Sequence, residues 1–174
     1  KGMLGERTQI VVADLDSRSQ DTLVASAITE ALRIGLVESD VLEIVDPAEV
    51  AQLLSLMQLP PDTRLDESVA RQAAIRFGAP VVLVGTLRPV GSGYQLVGRL
   101  VDAEEGTSFV EVIERAANED DLLNAADRVA GRLRERVGES LRTVQNRPPL
   151  SRYTTSSIEA LKKYVQANRA HAME

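Results

Sequence analysis

Residues Val81-Val82-Leu83-Val84-Gly85 make the most continuously apolar run in the chain. The run is short, β-branched and closed by glycine, so it reads as a strand with apolar side chains on both faces. Such a strand belongs at the centre of a sheet with helices packed on it. Its flanks agree. Upstream, Ala70, Ala73, Ala74 and Phe77 mark a helix opened by Asp66 and closed by Gly78 and Pro80. Downstream, Gly91-Ser92-Gly93 is a hairpin signal and Tyr94–Val101 the return strand.

The rest of the chain falls into place around that strand. Thr8–Leu15 is a buried strand. The polar loop 16–21 follows, and Ser19 is an N-cap for a helix over 20–37 with a broad apolar face. Val41–Val45 is a second strand. Asp46-Pro47-Ala48-Glu49 then combines an N-cap, a proline at the first helical position and an acid at the third, opening a helix to about Met57. After a turn at 102–106, Ser108–Arg115 has one polar face and belongs near the sheet edge. Asn118 caps a long helix whose stripe is Leu122, Ala126, Val129, Leu133, Val137 and Leu141, with arginines 132, 134, 136 and 142 at its basic end. The resulting order is βαβααβββα on a mixed five-stranded α/β sheet, plus a C-terminal helix. Residues 1–145 form the domain, 146–155 a proline-rich linker, and 156–174 a last helix opened by the capping box Ser156-Ser157-Ile158-Glu159.

Composition narrows the chemistry. At 174 residues the chain is long enough to bury about 70% of its unfolded surface. Its net charge of −6 argues against a nucleic-acid partner, which needs a basic surface. With no cysteine there is no thiolate nucleophile or Cys-type zinc site, and with His171 alone there is no His-based triad or multi-His metal site. No apolar run approaches the ~20 residues of a membrane span. The chain begins at Lys1 rather than Met and reads as a piece of a longer protein, so missing targeting signals leave localisation open.

Few residues are candidates for a site. Asp14, Asp16 and Asp21, with Arg18 among them, lie at or beyond the carboxyl end of the first strand, where α/β sheets bind ligands. Such carboxylates could hold Mg²⁺ or Ca²⁺ in a phosphohydrolase. Loop solubility and helix capping are the weightier reading, because no glycine phosphate loop accompanies them. Gly91-Ser92-Gly93 precedes a strand, whereas a phosphate site needs a helix N-terminus. The arginines of the long helix, interleaved with Glu135 and Glu139, read as a solvated face. His171 reads as an exposed terminal residue. On the last helix Ile158, Leu161 and Val165 form a stripe that needs cover. It packs back on the domain, swaps into a neighbour or stays unpaired, and is the candidate interface for a protein partner or self-association. No cofactor and no metal are expected.

Three segments carry a family resemblance: Val84-Gly85-Thr86-Leu87, the hairpin Gly93–Gly106 with Arg99-Leu100-Val101-Asp102-Ala103, and Glu119-Asp120-Asp121-Leu122-Leu123. With Glu30-Ala31-Leu32-Arg33 and Asp46–Val50 upstream, they resemble the TolB-like amino-terminal domain. The chain departs from that family at Asp14-Leu15-Asp16, where an aromatic-containing "P-F-x-N" is more usual. Residues 154–164 are similar to the lead-in to tetratricopeptide repeats. The resemblance implies a non-catalytic sensory or protein-interaction module of a bacterial signalling protein, a Ser/Thr kinase or adenylate cyclase, placed before such repeats. It implies an extracytoplasmic position in a membrane-anchored parent. The alternative it implies is an envelope assembly or secretion module related to Tol or curli-type lipoproteins.

Overall fold

In the computed structural model, strand β4 (Val81–Val90) lies in the middle of the sheet. The structure describes residues 7–17, 22–60, 63–138 and 158–172, and in the last helix the side chains of 158 and 161–167. Beside β4 stand β1 (Thr8–Val12), β3 (Leu42–Ile44), β5 (Gly93–Asp102) and β6 (Ser108–Ala116), in the order β3-β1-β4-β5-β6. Strand β1 is parallel to both neighbours, with Ile10 opposite Ile44 on one side and Val81 on the other. Strands β4, β5 and β6 form an antiparallel meander. The helices are α1 (Thr22–Val37), α2 (Pro47–Leu56), α3 (Glu67–Phe77), α4 (Leu122–Arg136) and α5 (Ile158–Ala172). The fold is a mixed α/β sheet with helices on it, in the element order expected from the sequence.

Period-two alternation divides the interior into two layers. Ile10, Val12, Val81, Leu83 and Leu100 face a larger core built with α1, α4 and α5. Their neighbours Val11, Ala13, Val82, Val84 and Val101 face a smaller one built with α2 and α3. Helix α3 presents Ala70, Ala73 and Ala74, all fully buried, so its backbone lies close to the sheet. On α4 the stripe Leu122, Ala126, Val129 and Leu133 is fully buried, and the last expected member, Leu141, lies outside the described residues. Gly98 of β5 lies under that stripe, where a Cβ would come within 2.7 Å of Val129 Cγ1.

Helix ends follow their capping chemistry. Asp46 Oδ1 accepts the Ala48 N–H at 2.8 Å, and Asp66 Oδ1 accepts the Val69 N–H at 2.9 Å. Gly78 closes α3 at φ +88°, the left-handed conformation its lack of a Cβ permits. Asn118 caps as expected, but over a 3₁₀ turn (Glu119–Asp121) that leads into α4. Ser19 lies outside the described residues.

One further strand appears where the sequence reads as loop. Strand β4 has ten residues and β1 only five, so the far half of β4 has open main-chain groups on the β1 side. Strand β2 (Asp16–Ser17) fills them, pairing with Thr86 and Leu87. Between β1 and β2, Leu15 turns into the core and donates its N–H to Thr29 Oγ1 at 3.0 Å.

Candidate interaction surface

The acidic loop after β1 is occupied by contacts within the chain. Asp14 and Leu65 hold each other: the Asp14 N–H donates to the Leu65 carbonyl at 2.8 Å, and Asp14 Oδ2 accepts the Leu65 N–H at 2.8 Å. The Arg64 guanidinium donates to the Leu15 carbonyl at 3.3 Å and to Asp16 Oδ1 at 3.4 Å. Together these bonds dock the segment before α3 onto the end of β1. Arg18 and Asp21 lie outside the described residues. Among the described residues no group of three or more His, Asp or Glu is placed to hold a metal ion.

The hairpin that carries the family resemblance also does structural work. Asp102 Oδ1 accepts the N–H groups of Glu104 and Glu105 at 2.9 and 2.8 Å. Gly106 completes that turn at φ +78°. From α3, Arg71 clamps the carbonyls of Ala103 and Glu104 at 3.0 and 2.8 Å. Arg99 pairs with Glu67 at the start of α3 at 3.1 Å. The motif therefore ties β5 and its turn to α3.

Arg128, Arg132 and Arg136 of α4 are exposed, in keeping with the solvated-face reading, and each also reaches the neighbouring strand. Arg128 and Arg132 both bind the Glu114 carboxylate, at 2.8 and 3.1 Å. Arg128 also donates to the Arg115 carbonyl at 2.7 Å, and Arg136 to the Glu111 carbonyl at 3.2 Å. Spaced four apart, the three side chains line one face of the helix and clasp the outermost strand. Arg134 is only 1% exposed. Among the described residues only Arg134 departs from that reading, and the long reach of the exposed arginines to an adjacent strand is invisible in a linear sequence.

The clasp has an acidic counterpart at the helix entrance. Asp121 accepts the Ala117 N–H at 3.0 Å and the Asn124 side-chain amide at 3.2 Å. These hydrogen bonds, aided by the charge of Arg128, hold its carboxyl below the usual aspartate range against a smaller opposing effect of desolvation.

The two faces of the sheet are covered unequally. On the larger-core side α4 packs along β5 and β6. On the opposite side α2 and α3 stop short: Val101 lies in the smaller core, but Val97 is only half-buried and Ile113 is 49% exposed. Cross-strand register sets two rows on this bare area, Arg88–Gln95–Arg115 and Asp16–Thr86–Val97–Ile113; the next row, Val84–Arg99–Glu111, starts in the smaller core, where Val84 is buried. Phe109, the extra residue of a bulge at the β5–β6 register shift, is 54% exposed at its margin. The sequence signalled a polar face on β6, but which half of the sheet the helices leave bare depends on helix placement.

The stripe of α5 points inward at its start. Ile158 and Leu161 are buried in the larger core, where α5 packs on α1, and Val165 is half-buried. Lys162 donates to Glu119 Oε2 at 3.3 Å, tying α5 to the turn before α4. Among the described residues no helix is long and apolar enough to cross a membrane.

The arrangement is a domain type already seen in bacterial proteins. The C-terminal domain of LpoB from Escherichia coli superposes with a TM-score of 0.57 and 21% identity, covering 63% of this chain and 82% of that one. Lipoprotein GNA1162 from Neisseria meningitidis gives a TM-score of 0.50 and 17% identity, covering 62% and 78%. TolB from Acinetobacter baumannii gives 0.50 and 10% identity, covering 76% of this chain but 29% of TolB. These likenesses show the fold, and at that level they agree with the TolB-like resemblance. No family model and no curated protein matches the sequence. The kinase, cyclase and repeat associations rest on the sequence resemblance alone.

Proposed function

We propose that this chain is a non-catalytic protein-interaction module of the bacterial cell envelope, serving assembly there rather than receiving signals for a kinase or cyclase. The observation that carries the reading is the fold shared with the LpoB C-terminal domain and with lipoprotein GNA1162. The site residues support it. Asp14 and Asp16, the carboxylates best placed for chemistry, bind Leu65 and Arg64 of the same chain. The bare sheet area offers an apolar centre among charged groups, which suits a protein partner. The reading places the domain on the extracytoplasmic side, carried by an anchored parent.

Fractionation and in-cell cross-linking of the tagged parent protein test this. Recovery with the envelope, cross-linked to a defined envelope protein, is the expected result. Recovery in the cytoplasm, or cross-linking only to a kinase or cyclase domain, would overturn it.

A further inference from the structure

We propose that the bare sheet face over β4, β5 and β6 docks an acidic, apolar segment of a partner protein. The inference rests on the reading of the chain as an interaction module and names the surface and the partner's chemistry. The chain as a whole carries six more acids than bases, so its surface in general repels an acidic partner. On this face the local balance is different. Arg88 and Arg115 flank Gln95 in one cross-strand row, about 10 Å apart at two strand spacings. Both are exposed, and neither has a carboxylate partner among the described residues.

Other arginines of this region are paired: Arg99, four residues from Gln95 on the same face, binds Glu67, and Arg128 and Arg132 share Glu114 on the other side. Next to the Arg88–Arg115 row, about 7 Å along the strands, lies the apolar row with Val97 and the 49%-exposed Ile113. A segment crossing the face with carboxylates opposite the two arginines and an apolar side chain over Ile113 would satisfy both rows. Glu111, at the far side of the apolar row, repels acids there and so sets the segment's direction. A nucleic acid offers phosphates but no aliphatic side chain for Ile113, and the single exposed ring at the margin, Phe109, is short of the row of aromatics that stacks successive bases.

The test uses the whole 174-residue chain. Three fluorescent octapeptides serve as probes: alternating glutamate and valine, its glutamine isostere, and its lysine counterpart. Saturable binding of the glutamate peptide is expected, weakened about tenfold by the double variant R88E/R115E, the size of two exposed charge pairs. I113D should weaken it as well. All three positions are exposed, so melting temperatures should stay unchanged. Binding that survives R88E/R115E, a preference for the lysine peptide, or no saturable binding would overturn the proposal.

A second arm separates this surface from the underlying reading. A photo-cross-linker is placed at position 113 and, for comparison, at position 56 on α2, where Leu56 is 78% exposed. A cross-linked partner peptide from position 113 that carries carboxylates beside an apolar residue supports the proposal. A second copy of this chain at position 113 overturns it. Partner cross-links at 56 and none at 113 remove the surface but leave an interaction module, and silence at both positions removes both.

Discussion

Asp121 shows how much a single side chain can organise. It ends the 3₁₀ turn, accepts the Ala117 N–H at the exit of β6 and holds Asn124 in the first turn of α4. Because its carboxyl is held below the usual range, the folded state favours the ionised form. That contribution is fully present above the unfolded value of about 3.9 and is lost as pH falls through the lower folded value. D121N should therefore lower the melting temperature at neutral pH. The gap from the parent should narrow below about pH 3.9, as read by thermal scans across pH. A gap that stays constant to pH 2 would show that the charge is irrelevant. Gly98 makes a different demand, for space. G98V places its side chain against Val129 and Leu133 and should destabilise by about 1–3 kcal/mol, the usual cost of overpacking, measurable by urea unfolding.

At the scale of elements, the clasp of α4 on β6 has a testable cost. R128A removes bonds to Glu114 and to the Arg115 carbonyl, and R136A removes the bond to the Glu111 carbonyl. Each change should cost about 1 kcal/mol, because the groups are partly solvated. The double variant should also lose monodispersity in light scattering as main-chain groups of the outer strand are freed. Elements were the most legible level of this protein. Asp46-Pro47, Asp66 and Gly78 announce helix ends by local hydrogen-bond chemistry, and Gly91-Ser92-Gly93 announces a hairpin by backbone conformation; none needs a distant partner. Strand β2 was not legible, because Asp16-Ser17 becomes a strand only where the longer β4 offers open pairing. The site was less legible still. Asp14 and Asp16 look like a ligand pair in the sequence, and nothing local reveals that Arg64 and Leu65, about fifty positions on, take up their bonds. Likewise, Arg88 and Arg115 meet only through the register of three strands.

For the whole molecule, the question is what α5 belongs to. Ile158 and Leu161 fill the larger core beside α1. L161A should cost about 2–5 kcal/mol, the range for a truncated buried leucine. If α5 packs on its own domain, the melting temperature of the parent chain is independent of protein concentration, as differential scanning calorimetry over a hundredfold range would show. A melting temperature that rises with concentration would instead mean that the helix is exchanged between copies. The unequal cover of the sheet also belongs to this scale: one side is closed by α1 and α4, with α5 packed on α1, and the other is closed only over its first half.

The arginine seal on β6 has a consequence for crowding. Of the two lateral margins of the sheet, one is the three-residue β3 and the other is stapled by guanidinium groups, so neither invites a foreign strand to zip alongside. Many molecules held side by side could then reach high local density without seeding fibrils through these margins.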